Sequence, residues 1–443
     1  MRRLLFIFSF LSLLVVDGKV QEEETLTLED CLRIGIDNNL PLEGKRKEIQ
    51  KSKYGVSENR SKLLPQITVI AGYNNNFDPP VSVTDGSSYG VPYNITKTLQ
   101  HTANAGLEMQ MPLFNQTLYT SMSIAKVMEE ISRLSYGKAR EDIIMQISKM
   151  YYLGQVTAEQ IVLIKANITR LEELRDITQA FFDNGMSMEV DLKRVNINLE
   201  NLKVQYDNAQ AMMKQQLNML KYIMDYPAEK EFVLTPVNTD SITTVALTGL
   251  SENIYELQLS QSQVQLAEKQ KKIISNGYIP SLSLTGSWRY AAYTDKGYHW
   301  FHSGPSNHWF RSYGLGLTLR IPIFDGLDKT YKIKKAMIDI ENSKLAWENA
   351  RKSLQTQYLN AVNDLMNNQR NFKKQKDNYL LAEDVYTVTS DRYREGIASM
   401  TEVLQDEMQM SEAQNNYISA HYNYRVTNLM LLKLTGQIES LVK

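Results

Sequence analysis

Three histidines, His299, His302 and His308, fall close together in one loop-like stretch, and imidazoles so grouped can hold a metal ion. Exposed loop histidines with no outer group to fix their rings usually do not, so no metal and no cofactor is expected. Cys31 is the single cysteine, which excludes an intramolecular disulfide and a thiolate metal cluster. It follows Leu28-Glu29-Asp30 in an amphipathic stretch and reads as a packing residue. The chain has no nucleotide-binding loop and no His-Glu-x-x-His pair. Catalysis is not indicated, and the protein is expected not to be an enzyme. Glu402, Asp406 and Glu407 gather carboxylates on one helix-like stretch, and such charge runs are ordinarily solvated faces.

The elements that position these residues occur twice. Leu64-Pro65-Gln66-Ile67 returns as Ile279-Pro280-Ser281-Leu282, Met111-Pro112-Leu113-Phe114-Asn115 as Ile321-Pro322-Ile323-Phe324-Asp325, and Phe182-Asp183-Asn184-Gly185 as Tyr393-Arg394-Glu395-Gly396. Three anchors in one order at a shift of about 211 residues mark a duplicated structural unit. The expected boundaries are a first repeat over 19–250 and a second over 251–443.

Within the first repeat, alternating apolar residues predict strands over about 66–77 and 101–112, separated by a polar loop from Asn74 to about Thr98. A long helix is expected over about 116–182, a stretch free of proline, and a return helix over about 188–224. The second repeat predicts strands over about 280–293 and 311–322, a long helix over about 327–392 and a return helix over about 399–435. Heptad spacing, as in Val195, Leu199, Leu202, Tyr206 and Ala209 or Val403, Met410, Ala413, Tyr417 and Ala420, is the pattern of helices packed as coiled coils. A helix of some 66 residues would be about 100 Å long and must project far beyond any bilayer.

The N-terminus reads as a secretory signal over residues 1–18, with Arg2 and Arg3 ahead of the apolar run Leu4–Val16. With 49 basic against 50 acidic residues, the chain lacks the basic face of a nucleic-acid binder. Strands of about ten residues can cross a membrane when tilted. Tyr73, Phe77, Trp288, Tyr290 and Tyr293, with Trp300, Trp309 and Phe310 in or beside the second loop, suit the aromatic girdle of a membrane barrel. Four strands per chain leave open edges, which hydrocarbon does not tolerate, so copies must close the barrel together.

The strand-to-helix signatures Met111-Pro112-Leu113-Phe114-Asn115 and Ile321-Pro322-Ile323-Phe324-Asp325-Gly326, with the tip Arg392-Tyr393-Arg394-Glu395-Gly396-Ile397-Ala398-Ser399, resemble those of the outer membrane efflux protein family, the TolC-like channels. The resemblance covers essentially the whole chain after the signal. It implies a mainly α-helical fold with a small transmembrane β-barrel, a homotrimer closing twelve strands in the lipid of a Gram-negative outer membrane, and a periplasmic α-barrel. The implied function is a passive exit duct for a tripartite efflux pump or a type I secretion system. Its implied partners are a periplasmic adaptor protein and an inner-membrane transporter.

The same resemblance implies roles at the tip. Glu402 and Gln405 occupy positions that ring the aperture, with Asp406 and Glu407 adjacent. Asp191 and Tyr393 match positions that latch neighbouring coiled coils, while Ala398 stands where the family can have an arginine. Gly185, Gly396 and Ser399 lie at turns that meet the adaptor, and glycine there also suits a left-handed helix end. The alternative is a periplasmic coiled-coil or adaptor protein without its own channel, against which the duplication argues. Gating is expected where the halves differ, as in Asp191 against Glu402.

Overall fold

The computed structural model describes residues 24–97, 99–236, 249–294 and 309–442. The signal segment 1–18, the three grouped histidines His299, His302 and His308, and Trp300 lie outside the described residues.

The chain opens with a short strand β1 (Glu24–Leu26) and helices α1 (Leu28–Asn38) and α2 (Leu40–Ser61). Asn39 separates the two helices, and its side chain accepts from Leu42 N at 2.9 Å to start the second. Strand β2 (Gln66–Asn75) follows, then a hairpin of β3 (Val81–Asp85) and β4 (Tyr93–Lys97), then β5 (His101–Phe114). The stretch from Asn74 to Thr98, expected as a plain loop, therefore holds a second antiparallel hairpin, in which Val83 faces Ile95 and Asp85 faces Tyr93. Its Asn, Ser, Gly and Pro content masked a period-two apolar alternation over only five residues per strand.

The first long helix, α3 (Gln116–Asp183), has 68 residues and returns as α4 (Glu189–Met224). After β6 (Phe232–Leu234) come α5 (Tyr255–Asn276), β7 (Ser281–Thr294), β8 (Trp309–Arg320), the 67-residue α6 (Asp328–Arg394) and α7 (Met400–Leu434). The two signatures work as helix starts. Asn115 caps α3 by accepting from Thr117 N and Leu118 N at 3.1 and 3.4 Å. At the second start, Asp325 accepts from Lys329 N at 3.2 Å and pairs with its ammonium at 2.8 Å.

Strands β2, β5, β7 and β8 form one antiparallel sheet in that order. Helices α2, α3, α5 and α6 pack in the same order below it, since each runs directly into or out of its strand. Farther from the sheet α3 pairs with α4 and α6 with α7, and α3 meets α7.

One core cluster sits where α1, β1 and β6 pack on α3, α4 and α7, around Leu32, Ile147, Leu220, Met224 and Leu431. Cys31 is fully buried here, and burial pushes its thiol up to about 12, out of reach of redox chemistry near neutral pH. A second cluster fills the far end of the hairpins, where Val195, Leu199, Leu202, Val403 and Met410 interdigitate. Those are the heptad positions, buried as a coiled-coil seam requires. No helix among the described residues is long and apolar enough to cross a membrane.

Candidate gate at the helical tip and membrane surface of the sheet

Both hairpins turn with the same backbone. Gly185 has φ 73° and Gly396 φ 77°. Gly185 N donates to Phe182 O at 2.9 Å and Met186 N to Phe181 O at 2.7 Å; Gly396 N donates to Tyr393 O at 2.9 Å and Ile397 N to Arg392 O at 2.8 Å. This pair of bonds closes a helix on a left-handed residue, where glycine avoids the Cβ clash. Met186, Met188 and Ile397 stand exposed around the two turns.

The second halves of the turns differ. Ser399 N donates to the Glu402 carboxylate at 2.8 Å and Glu402 N to Ser399 Oγ at 3.3 Å, a reciprocal capping box that starts α7. Glu402 is exposed, but its carboxylate bends back to its own helix end. Met188 offers α4 no such cap. Asp191 instead accepts from Arg194 at 3.3 Å, and Arg194 reaches across to Thr401 Oγ1 at 3.3 Å.

Asp191 and Tyr393, both expected at latch positions, do not bond to each other within the chain. Tyr393 is buried against Phe181, ring centroids 5.6 Å apart, and its hydroxyl donates to Thr178 Oγ1 at 3.2 Å. The coiled-coil core draws the ring inward, so its hydroxyl finds α3 rather than α4.

Along α7 the acids separate by helix face. Gln405 is exposed, Asp406 half-buried and Glu407 buried. Glu407 therefore lies off the solvated face expected of this charge run. It lies one turn from the seam residues Val403 and Met410, on the side facing α3 and α6. Arg170 of α3 enters the same place, donating to Glu383 of α6 at 3.1 Å and contacting Met410 Sδ at 3.4 Å. Burial raises the Glu407 carboxyl to about 6, with the Arg170 charge working in the opposite direction. Arg394 reaches Glu173 at 3.2 Å, and Asn167 and Gln414 form a buried amide pair at 2.7 Å. These links between α3 and the second hairpin were not expected from the sequence; polar residues recurring beside heptad positions were their one visible sign.

The pairing register sorts the sheet into two faces, because side chains directly opposite each other share a side. Ile67, Val69, Leu107, Met109, Trp288, Tyr290, Tyr313 and Leu315 fall on one. Gln66, Thr68, Glu108, Gln110, Thr285, Ser287, Gly314 and Gly316 fall on the other, where Arg289 pairs with Glu108 at 2.9 Å. Tyr73 joins the apolar face with Trp288 and Tyr290, whose rings meet edge-on at 5.1 Å. Tyr293 does not: it pairs with Thr102 on the polar face and leans on Phe310, centroids 6.2 Å apart. Phe77 lies beyond the end of β2 and is 89% exposed. Of the five residues expected in a girdle, Tyr73, Trp288 and Tyr290 share the apolar face, together with Trp309 and Tyr313.

Contrary to the expectation that the chain has no Gly-x-Ser-x-Gly elbow, Gly86-Ser87-Ser88-Tyr89-Gly90 has the spacing of a hydrolase nucleophile turn. It forms the exposed turn between β3 and β4, and Asp85 accepts there from Ser87 N at 2.9 Å and Ser87 Oγ at 3.0 Å. It lacks the strand-to-helix context that would make its serine a nucleophile.

A family model for outer membrane efflux proteins matches residues 35–224 and 240–437. The chain belongs to the outer membrane efflux protein family. This efflux protein is 21% identical over 396 residues to the outer membrane protein TolC of Vibrio cholerae, covering 86% of the chain and 84% of TolC. It is 23% identical over 382 residues to the antibiotic efflux pump outer membrane protein ArpC of Pseudomonas putida, covering 81% and 75%. A solved structure of CusC superposes with a TM-score of 0.77 at 16% identity, over 92% of this chain and 91% of that one. The efflux protein is an outer membrane protein of Gram-negative type.

Proposed function

We propose that three copies of this efflux protein close a twelve-stranded barrel and form a passive exit duct, gated at the far ends of the helical hairpins. The observation that carries this reading is the open sheet. Strands β2 and β8 are its edges, and β8 is exposed along its whole length, with Leu315, Leu317 and Leu319 bare. An edge left unpaired in hydrocarbon costs several kcal/mol for each backbone group, so β8 of one copy must pair with β2 of the next. Both edges carry the same apolar-polar alternation, and the closed wall would turn its apolar face to lipid and its polar face to a water-filled bore.

The helices of about 100 Å then reach through the periplasm towards an inner-membrane transporter. Met186, Met188 and Ile397 at the turns offer an apolar rim to a periplasmic adaptor. The polar face and the kinship with pump components support efflux of small molecules driven by such a transporter. Energy would come from that partner.

Native mass spectrometry of the purified protein should give three copies, and planar bilayers should show discrete ion conductance. A monomer, or an oligomer that never conducts, would overturn the duct and leave a structural coiled-coil role.

A further inference from the structure

We infer that the lipid-facing surface of the sheet holds an anion site, built on Arg311, for the phosphate groups of the phosphorylated glycolipid that fills the outer leaflet. The inference rests on the barrel orientation proposed above, with the helices on the periplasmic side.

Arg311 stands opposite Tyr290 on β7 and shares the apolar face with Trp309, Tyr313 and Leu315. It is exposed, and its guanidinium lies 6.0 Å from the centre of the Tyr313 ring. No acid can neutralise it from the wall. The four strands contain one carboxylate, Glu108, which sits on the opposite face bound to Arg289. Strand β2, which would meet β8 across the seam between copies, reads Gln-Ile-Thr-Val-Ile-Ala-Gly-Tyr-Asn-Asn and brings none. Among the described residues Arg311 has no ion-pair partner.

A lone arginine facing hydrocarbon is costly at mid-membrane and nearly free at the interface. Arg311 is the third residue of β8 from the end remote from the helices, about 7 Å along the strand. That is roughly the thickness of one head-group layer, so the side chain can reach outer-leaflet head groups while its stem packs among aromatic rings. A planar guanidinium binds phosphate oxygens in pairs, which a lysine cannot do. A diester offers the same pair of oxygens but a single charge, whereas a phosphate monoester carries about −1.5 to −2 near neutral pH, so the favoured ligand is a phosphate monoester on a lipid, and lipid A is the outer-leaflet lipid that carries it.

The test uses the full-length oligomer in phosphatidylethanolamine nanodiscs, titrated with bisphosphorylated lipid A and followed by native mass spectrometry. Wild type should retain lipid A, and Arg311→Gln should weaken retention about tenfold or more. Arg311→Lys should fall between them, and dephosphorylated lipid A should bind both proteins equally weakly. Equal retention of lipid A by wild type and Arg311→Gln would sink the proposal. So would phosphatidylglycerol binding as tightly as lipid A. The oligomer mass and bilayer conductance, read on the same samples, show separately whether the duct itself stands.

Discussion

Arg170 and Glu383 meet at 3.1 Å and tie the first long helix to the second. Both side chains are mostly shielded, at 27% and 31% exposure, and the buried carboxyl of Glu407 stands on the third side. Replacing Arg170 by Gln removes the ion pair and the one cation that opposes the desolvation of Glu407. We expect a loss of about 1–3 kcal/mol in chemical denaturation and a rise in single-channel conductance. Unchanged values in both would show that α3 and α6 are held by packing alone.

Glu407 sets a pH dependence. Its carboxyl lies near 6 in the folded chain against 4.5 for the free group, mainly through burial. The folded state thus binds the proton more tightly than the unfolded state does. Stability is greatest below pH 4.5 for this group, declines as pH rises through about 6, and stays lower beyond. The size is on the order of 2 kcal/mol. Glu141, raised to about 7 where α3 meets α7, acts in the same direction. Amide protection at the tip, measured relative to the intrinsic exchange rate at each pH, should therefore be greater at pH 5 than at pH 7.5, and Glu407→Gln should flatten the difference. A tip that loosens on acidification would contradict this account.

Gly185 and Gly396 share their bonds and their sign of φ, so they should respond alike to substitution. A Cβ at either position meets open space, and the cost comes from the left-handed backbone alone. Each Gly→Ala change should destabilise its hairpin by about 1–2 kcal/mol, seen as faster amide exchange in the adjoining turns. A large effect at one glycine only would mean that the other turn tolerates a different closure.

Tyr393→Phe removes a buried hydrogen bond to Thr178, and Arg194→Ala removes an exposed one to Thr401. Buried bonds contribute about 0.5–1.5 kcal/mol, whereas exposed links are largely offset by water. Conductance should rise more in Tyr393→Phe than in Arg194→Ala. The reverse order would place the latch between copies, with Arg194 or Asp191 facing a neighbouring subunit.

How much of this was legible in the sequence depended on which physical signal carried it. The heptad residues Val195, Leu199, Val403 and Met410 declared a coiled-coil seam, because one residue out of place would break it. The paired signatures ending in Asn115 and Asp325 marked strand passing into helix, since each must supply a side-chain acceptor there. Glu407 was illegible: its neighbours Asp406 and Glu402 suggested water, and its burial depends on how α3 and α6 pack against α7. Tyr293 was misplaced for a different reason. Membership of a strand says nothing of face until the register with Thr102 is known. The hairpin of β3 and β4 was lost because turn-forming residues outnumbered its few alternating valines.

The shared order of strands and helices has a consequence for the bore. Twelve helices set side by side at about 9 Å spacing would place their axes about 17 Å from the centre, and their own radius of about 5 Å would leave a clear radius near 12 Å. Twelve strands spaced about 4.8 Å and tilted about 40° would put their backbones at about that same 12 Å. The thick and thin parts of the wall would then agree at the backbone. On the polar face Glu108, Gln110 and Arg289 would project into the bore, with Gly72, Gly106, Gly314 and Gly316 leaving gaps beside them, so side chains rather than backbone would set the width a cargo meets at the membrane.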